Sequence, residues 1–300
     1  MIATSQIRLP NDICLQCRIC GPTAAPVLLF LHGFPEAAFI WDELLEHFGE
    51  RYRCVAPNLR GYPPSSAPAD PQQYRVQYLV ADIDALISCL GQRPIEALIA
   101  HDWGGAVAWA IAAQHPEWIK RLAIVNSPHP GIFLRELQHN PRQQAASAYM
   151  NFLRRPDAER LLSENDFARL WSMLGGGGAG DPERGNAPWL TDALRDQYRA
   201  LWRAGLTGPC NYYRASPLYP PTAQDQSVMA ITLAAERITS RRPTLVIWGD
   251  EDLALPVSLL DGLDIYVPDL RLVRVPGATH WVVHERAQLI CAELERHLQT

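Results

Sequence analysis

Between residues 27 and 126, short apolar runs alternate with amphipathic stretches. The runs are "VLLFLH" (27–32), "YRCVAP" (52–57), "IEALIA" (95–100) and "RLAIVN" (121–126), each bounded by turn residues. Patterns with a 3.6-residue period lie between and after them, at Val76–Leu90 and Ala106–Gln114 for example. Runs without period-two alternation are what strands buried on both faces look like. They predict an α/β fold, a mostly parallel central sheet flanked by helices. From about Pro130 to Arg237 the strand pattern gives way to amphipathic helices, among them "PRQQAASAYMNFLRR" and "TDALRDQYRALWRAG". The run "GGGGAGD" (175–181) interrupts them, and its backbone entropy keeps it out of a helix, so a mobile loop is expected there. The strand pattern returns at "TLVIWG" (244–249) and "RLVRVP" (271–276), and "ERAQLICAELERHL" closes the chain as an amphipathic helix. The expected organisation is one sheet core in two parts, residues 1–129 and 238–300, with a helical cap inserted at 130–237.

Composition narrows the classes of partner. A chain of 300 residues suits one large domain, or a domain with a sizeable insertion, and needs no covalent staples. Its 27 basic and 32 acidic residues leave a net charge of −5, which argues against nucleic acid or an anionic membrane surface as partner. The basic pairs Arg154-Arg155 and Arg241-Arg242 read as solvated surface. The first apolar run is too short to span a bilayer, and "MIATSQIRLPND" lacks the charged and apolar regions of a secretory leader. Seven cysteines, an odd number, fit a reducing cytoplasm better than a disulfide framework. The triplet Cys14, Cys17 and Cys20 lies in a strand-like alternation that turns Cys17 away from the other two, so no metal site is expected.

The chemistry concentrates at "AHDWGGAVAW" (100–109), where an apolar run meets a helix. A sharp strand-to-helix turn that displays a nucleophile crowds its own backbone. It therefore needs small residues two before the nucleophile and two and three after it. Ala100, Gly104 and Gly105 meet that need around Asp102, which stands where such turns usually carry Ser. The helix N-terminus beneath supplies unpaired N–H groups and positive potential that favour an anion. Partners follow in the chain order of nucleophile, acid, histidine. "WGDEDLALP" supplies Asp252, with Asp250 and Glu251 competing for the acid role, and "VPGATHWVV" supplies His280. His47, His284 and His297 sit in helical patterns and read as solvated. The strand end "FLHGFPE" (30–36) adds a loop whose Phe34 N–H, with that of Trp103, would form an oxyanion hole.

From about residue 5 to its C-terminus the chain resembles the alpha/beta-hydrolase-fold epoxide hydrolases, whose "HGFPE" and "HDWGG" stand here nearly letter for letter. The resemblance favours Asp252 over Asp250 by its spacing to Pro256. It also implies two ring-opening tyrosines in the cap: Tyr213 in "LTGPCNYYR" and Tyr149 in "AYMNFLRRP". The family's D-x-RGYG-x-S is altered to "NLRGYPPSS" (58–66), a loop near the active-site mouth in relatives.

An aspartate, with a reference pKa of about 3.9, is already a nucleophile at pH 7, and it suits attack on a saturated carbon bearing a leaving oxygen or halide. The resemblance implies that Asp102 opens an epoxide to an alkyl-enzyme ester while Tyr149 and Tyr213 donate to the departing oxygen. His280, oriented by Asp252, then activates water against the ester, and the product is a vicinal diol. No metal or organic cofactor is required; the partners are a small epoxide and water, acting on a monomer or homodimer. Haloalkane and haloacid dehalogenases share the first step. However, Phe34 replaces the Asn frequent after His-Gly in the former, and Trp103 the Arg usual after the nucleophile in the latter. A non-catalytic ligand-binding protein of this fold has no use for the Asp102–Asp252–His280 set. Trp41, Trp171, Trp189 and Trp202 either line a pocket or, the better expectation, pack the helices.

Overall fold

A computed structural model describes residues 1–175 and 187–299. All but Gly175 of the "GGGGAGD" run therefore lies outside the described residues. Eight strands form one sheet: β1 Ala3–Arg8, β2 Cys14–Cys20, β3 Val27–Leu31, β4 Arg53–Pro57, β5 Ile95–His101, β6 Ile119–Val125, β7 Thr244–Gly249 and β8 Leu270–Val275. Their spatial order is β1-β2-β4-β3-β5-β6-β7-β8. The six strands from β4 to β8 in that order run parallel, while β1 pairs with β2 and β2 with β4 antiparallel. The helices are α1 Asp42–Phe48, α2 Val76–Leu90, α3 Asp102–Gln114, α4 Pro130–His139, α5 Pro141–Ala146, α6 Ala148–Leu153, α7 Ala158–Leu174, α8 Asp192–Ala204, α9 Thr207–Ala215, α10 Val282–Glu285 and α11 Ala287–Gln299. Six of them, α4 to α9, lie between β6 and β7 in sequence.

Alternate residues of the central strands feed two cores. Leu98 and Ala100 of β5, Leu122 and Ile124 of β6, and Val246 and Trp248 of β7 join one, together with Ile83 and Leu86 of α2 and Val107 and Ile111 of α3. Ala97, Ile99, Ala123, Val125, Leu245 and Ile247 join the other, with Leu44 and Phe48 of α1 and Ile290 and Leu294 of α11. Both faces are covered, which is why the strands read as continuous apolar runs. The core nearest α2 and α3 continues into the inserted helices through Met150, Leu170, Tyr198, Trp202 and Tyr213.

Several local expectations change. "PRQQAASAYMNFLRR" folds as two short helices, α5 and α6, because Ser147 between them leaves the helical region (φ −88°, ψ 3°). Its buried hydroxyl accepts from Gln143 at 2.8 Å. α7 is broken at Glu164–Phe167, where Asn165, Asp166 and Phe167 take positive φ. His284 and His297 are not solvated. His297 is buried, its Nε2 3.0 Å from the Leu122 carbonyl, and burial pushes its pKa down. The His284 ring stacks on Trp189 at 4.2 Å and reaches Glu36. Arg154 is not free surface either, since it donates to two carbonyls.

All seven cysteines are unpaired. Cys17 belongs to one core and Cys20 to the other. Burial is the main reason that the thiols of Cys17 and Cys210 are pushed up to about 12 and that of Cys291 to about 11. Cys54 is pushed up further by the same cause. Among the described residues no helix is long and apolar enough to cross a membrane.

Leu98→Ala empties a fully buried position in the central strand, so chemical denaturation should show a loss of about 2–5 kcal/mol with an unchanged denaturant slope. Thr4→Ala in exposed β1 should stay within about 0.5 kcal/mol.

Candidate active site

Asp102 sits where β5 ends and α3 begins, with φ +48°, a left-handed conformation that costs a non-glycine residue of order 1–3 kcal/mol. Its surroundings show what holds it there. A Cβ on Gly104 would lie 2.4 Å from the Leu31 carbonyl oxygen, and one on Gly105 would lie 2.3 Å from the Ser127 Cβ. A Cβ on Gly33 would meet Asp102 Oδ1 at 2.2 Å. The turn therefore fits only where three neighbours carry no side chain. Ser127 Oγ donates to the Asp102 carbonyl at 2.7 Å, which pins the turn to the end of β6.

One oxygen of the carboxylate is hydrogen-bonded and the other faces the His280 ring. Oδ1 accepts the Phe34 N–H at 2.7 Å. Oδ2 lies 3.8 Å from His280 Nε2, beyond hydrogen-bond length. Trp103 follows Asp102 in the first turn of α3, where main-chain N–H groups have no partner inside the helix.

His280 Nδ1 lies 2.6 Å from Asp252 Oδ2. Asp252 is buried and its acceptor sites are filled. Oδ1 takes the N–H groups of Ala254 (2.9 Å) and Leu255 (2.8 Å), and Oδ2 takes the Asn126 amide (2.8 Å) as well as His280. Asp250 instead pairs with Arg274 at the surface, and Glu251 is exposed. Burial disfavours a charged His280, but the charge and hydrogen bond of Asp252, helped by Asp102 and Glu36, outweigh it and hold the imidazole up to about 9.

Tyr149 of α6 and Tyr213 of α9 meet beside Asp102. Their rings are 6.0 Å apart and edge-on, and the Tyr213 ring also stands edge-on to Phe34 (5.2 Å) and Trp103 (5.1 Å). Burial first, then the negative charge of Asp102 among nearby groups, pushes both phenols well above their ordinary range. Both therefore stay protonated and able to donate. Asp102, Tyr149 and Tyr213 line two cavities at once. The larger, about 370 Å³, continues past Phe34, Met173, Leu253 and Trp281; the smaller, about 100 Å³, past Trp103, Phe133, Met150 and Leu218. Trp41, Trp171, Trp189 and Trp202 line neither and pack in the cores or against them. The altered loop 58–66 also lines neither. Its Gly61 backbone instead packs against Gly208 of α9, where a Cβ would lie 2.1 Å from the Gly61 carbonyl.

Sequence reasoning missed a buried polar layer beneath these groups. Glu36 is fully buried. Its Oε1 accepts from the Tyr198 hydroxyl and lies 2.8 Å from His284 Nε2, while Oε2 faces His101 Nδ1 at 3.3 Å, too far for an ideal hydrogen bond. Burial alone would raise this carboxyl, but the imidazoles of His101 and His284 that face it hold it below the usual carboxylate range. His101 Nε2 lies 3.0 Å from the His280 main-chain carbonyl, so the layer reaches His280. His32 is buried too and is pushed down to about 4 by burial. Its Nε2 accepts the Leu59 N–H, and its Nδ1 lies 3.0 Å from the Gly33 carbonyl. The only signal for Glu36 was its place in "HGFPE"; nothing marked Asn126 or Tyr198.

Comparison with known proteins accords with this geometry. A family model described as the alpha/beta hydrolase fold matches residues 26–287. Epoxide hydrolase 4 of Mus musculus is 33% identical over 272 residues, spanning 90% of this chain and 72% of that protein. The structure of a Bacillus megaterium epoxide hydrolase in complex with an inhibitor gives a TM-score of 0.87 at 30% identity, covering 99% of this chain and 100% of that one. A structure from novel epoxide hydrolases in metagenomes from hot environments gives 0.82 at 37% identity, covering 99% of each chain.

The raised His280 has a consequence for stability. A group held at about 9 when folded, against 6.5 otherwise, contributes stability that is fully present below pH 6.5 and is lost as pH rises through 9. Melting temperature should therefore fall more steeply over that window in the parent protein than in His280→Gln. Equal slopes would contradict the environment described for His280.

Proposed function

This chain belongs to the alpha/beta-hydrolase-fold epoxide hydrolases, hydrolases acting on ether bonds, and we propose that it opens epoxides to vicinal diols through a covalent ester on Asp102. The observation that carries the reading is the carboxylate itself. Asp102 has one oxygen held by a main-chain N–H and the other facing His280 at 3.8 Å, beside two phenols that remain protonated. In this reading the core comprises residues 1–129 and 238–300, and the cap residues 130–237. The cavity walls are mainly apolar, which suits an uncharged epoxide carrying hydrocarbon substituents. Seven unpaired cysteines support a reducing compartment such as the cytoplasm.

In the first step Asp102 Oδ2 attacks an epoxide carbon and the C–O bond breaks. The electron pair goes to the ring oxygen, which takes a proton from Tyr149 or Tyr213. The alkoxide is a far stronger base than a carboxylate, so phenols with raised pKa match it better than Asp102 could.

In the second step water adds to Cγ of the ester, and its proton goes to His280. The N–H groups of Phe34 and Trp103 hold the resulting oxyanion. Collapse breaks the ester C–O bond as His280 gives its proton to the leaving oxygen of the diol, and the second water proton, left on the Asp102 carboxyl, restores the phenol that opened the ring. Formation of the ester also prepares this step. It removes the Asp102 charge, one of the groups that raise His280, so the imidazole gives up its proton more readily once there is an ester to hydrolyse.

His280→Gln should accumulate an Asp102 ester visible by intact mass, whereas Asp102→Ala should show neither adduct nor diol; rapid turnover of the His280 variant without adduct would remove it as the base. In the parent enzyme, lowering pH should slow ester hydrolysis more than its formation, so the steady-state ester fraction should rise as pH falls.

A single turnover in heavy-oxygen water, with enzyme in excess, should give mostly unlabelled diol and label in the peptide containing Asp102. Labelled diol from the first turnover would mean direct attack by water.

Tyr149→Phe and Tyr213→Phe should each slow ring opening by about one to three decades, by analogy with loss of one oxyanion-hole donor. Full rates in both, or an intact rate on haloalkanes instead, would sink the epoxide reading of the cap.

A further inference from the structure

Tyr149 and Tyr213 lie on separate helices, α6 and α9, 64 residues apart in the chain by their numbering. Two hydroxyls that serve one oxygen must keep a fixed spacing, and neither helix alone sets it. Two arginines join the segments. Arg154, immediately after α6, donates from Nη1 to the main-chain carbonyls of Tyr213 and Ser216, both at 3.0 Å. The Tyr213 carbonyl belongs to the last turn of α9, where carbonyls have no helical partner and the helix dipole favours a cation. The Arg154 guanidinium also lies over the Tyr219 ring, 3.5 Å from its centroid, and the Tyr219 hydroxyl is anchored on Asp225 at 2.7 Å.

Arg214 reaches the other way. It adjoins Tyr213 on α9, and its Nη2 donates to the Arg155 carbonyl at 2.7 Å, one residue beyond Arg154. The same guanidinium forms a two-point pair with Glu159 of α7, at 2.6 and 2.7 Å. Each tyrosine-bearing segment thus sends one arginine into the main chain of the other.

We propose that Arg154 and Arg214 form a reciprocal clasp that sets the spacing of Tyr149 and Tyr213, making both arginines positioning residues for ring opening. The proposal rests on the reading of the two tyrosines as the donors to the epoxide oxygen. The clasp lies behind the tyrosines, since neither arginine lines the cavities, so it acts on ring opening and not on ester hydrolysis, which belongs to His280.

The test separates the two steps by single-turnover kinetics. Arg154→Ala should slow ester formation between about tenfold and a hundredfold, as small misplacements of reacting groups do. Ester hydrolysis should stay within twofold, and Arg154→Lys, which keeps a cationic donor, should recover most of the rate. In a Tyr149→Phe background the Arg154→Ala penalty should largely disappear, because the donor it positions is gone. Should Arg154→Ala fail to fold, Arg154→Gln and Arg214→Gln go through the same measurements with the same expectation.

Unchanged ester formation, with only a lowered melting temperature, would overturn the clasp, and so would equal losses in both steps. If Tyr149→Phe and Tyr213→Phe themselves keep full rates of ester formation, the reading of the tyrosines fails and takes the clasp with it, a result distinct from slow tyrosine variants beside an unaffected Arg154→Ala.

Discussion

The turn at Asp102 is the constraint from which the rest of the site follows. A non-glycine residue at φ +48° costs energy, and the structure meets that cost by packing. Two glycines let the start of α3 press against β3 and β6, and a third lets the loop after β3 touch the carboxylate. Because that loop is drawn so close, its Phe34 N–H lies where it grips one carboxylate oxygen. Because β6 is equally close, Asn126 at its end, itself at φ +38°, reaches both Asp252 and the Gly249 N–H. Asp102, Asp252 and His280 are thus positioned by one set of backbone contacts at the ends of parallel strands, where ligand sites of open α/β sheets form.

The second organising element is the buried carboxylate of Glu36. An isolated charge there would be neutralised by burial. It is kept charged by partners from three parts of the chain: His101 at the end of β5, His284 in α10 and Tyr198 in α8. Tyr198 comes from the inserted helices, and so do Trp202, whose ring nitrogen donates to the Pro35 carbonyl, and Tyr212, whose hydroxyl donates to the Arg60 carbonyl. The inserted helices meet the core through aromatic bodies that bury area and polar tips that satisfy main-chain or carboxylate acceptors. Such contacts are directional, so the helices are held in one orientation over Asp102.

Much of this was legible in the sequence for definable reasons. Strands β3, β5, β6 and β7 announce themselves because both faces are buried. The turn at Asp102 does so because steric crowding leaves a pattern of small residues at fixed offsets. β1 left no such mark: it is an exposed edge strand held by pairing with β2, and backbone pairing has no hydrophobic signature. The break at Ser147 was hidden because an apolar period runs through it. His284 and His297 were misread because a polar residue in a helical pattern looks solvated when its partner is distant; Glu36 is 248 residues from His284. Arg154 was misread similarly, since a basic pair in sequence says nothing of carbonyls on another helix. Local patterns report local structure and burial. They do not report which distant polar atoms complete a buried network.

The state of the cysteines acquires a meaning from the chemistry. Epoxides are alkylating agents, and they react with thiolates wherever they meet them. A protein that binds such compounds beside its core is exposed to damage by its own substrate. Here Cys17, Cys54, Cys210 and Cys291 are buried and kept protonated by that burial, so they lack the nucleophilic form, and none of them lines the two cavities at Asp102. Cys210 lies only three residues from Tyr213, yet it is sealed within the core and lines neither cavity. Burial that reads at first as ordinary packing also keeps these thiols from competing for an alkylating substrate.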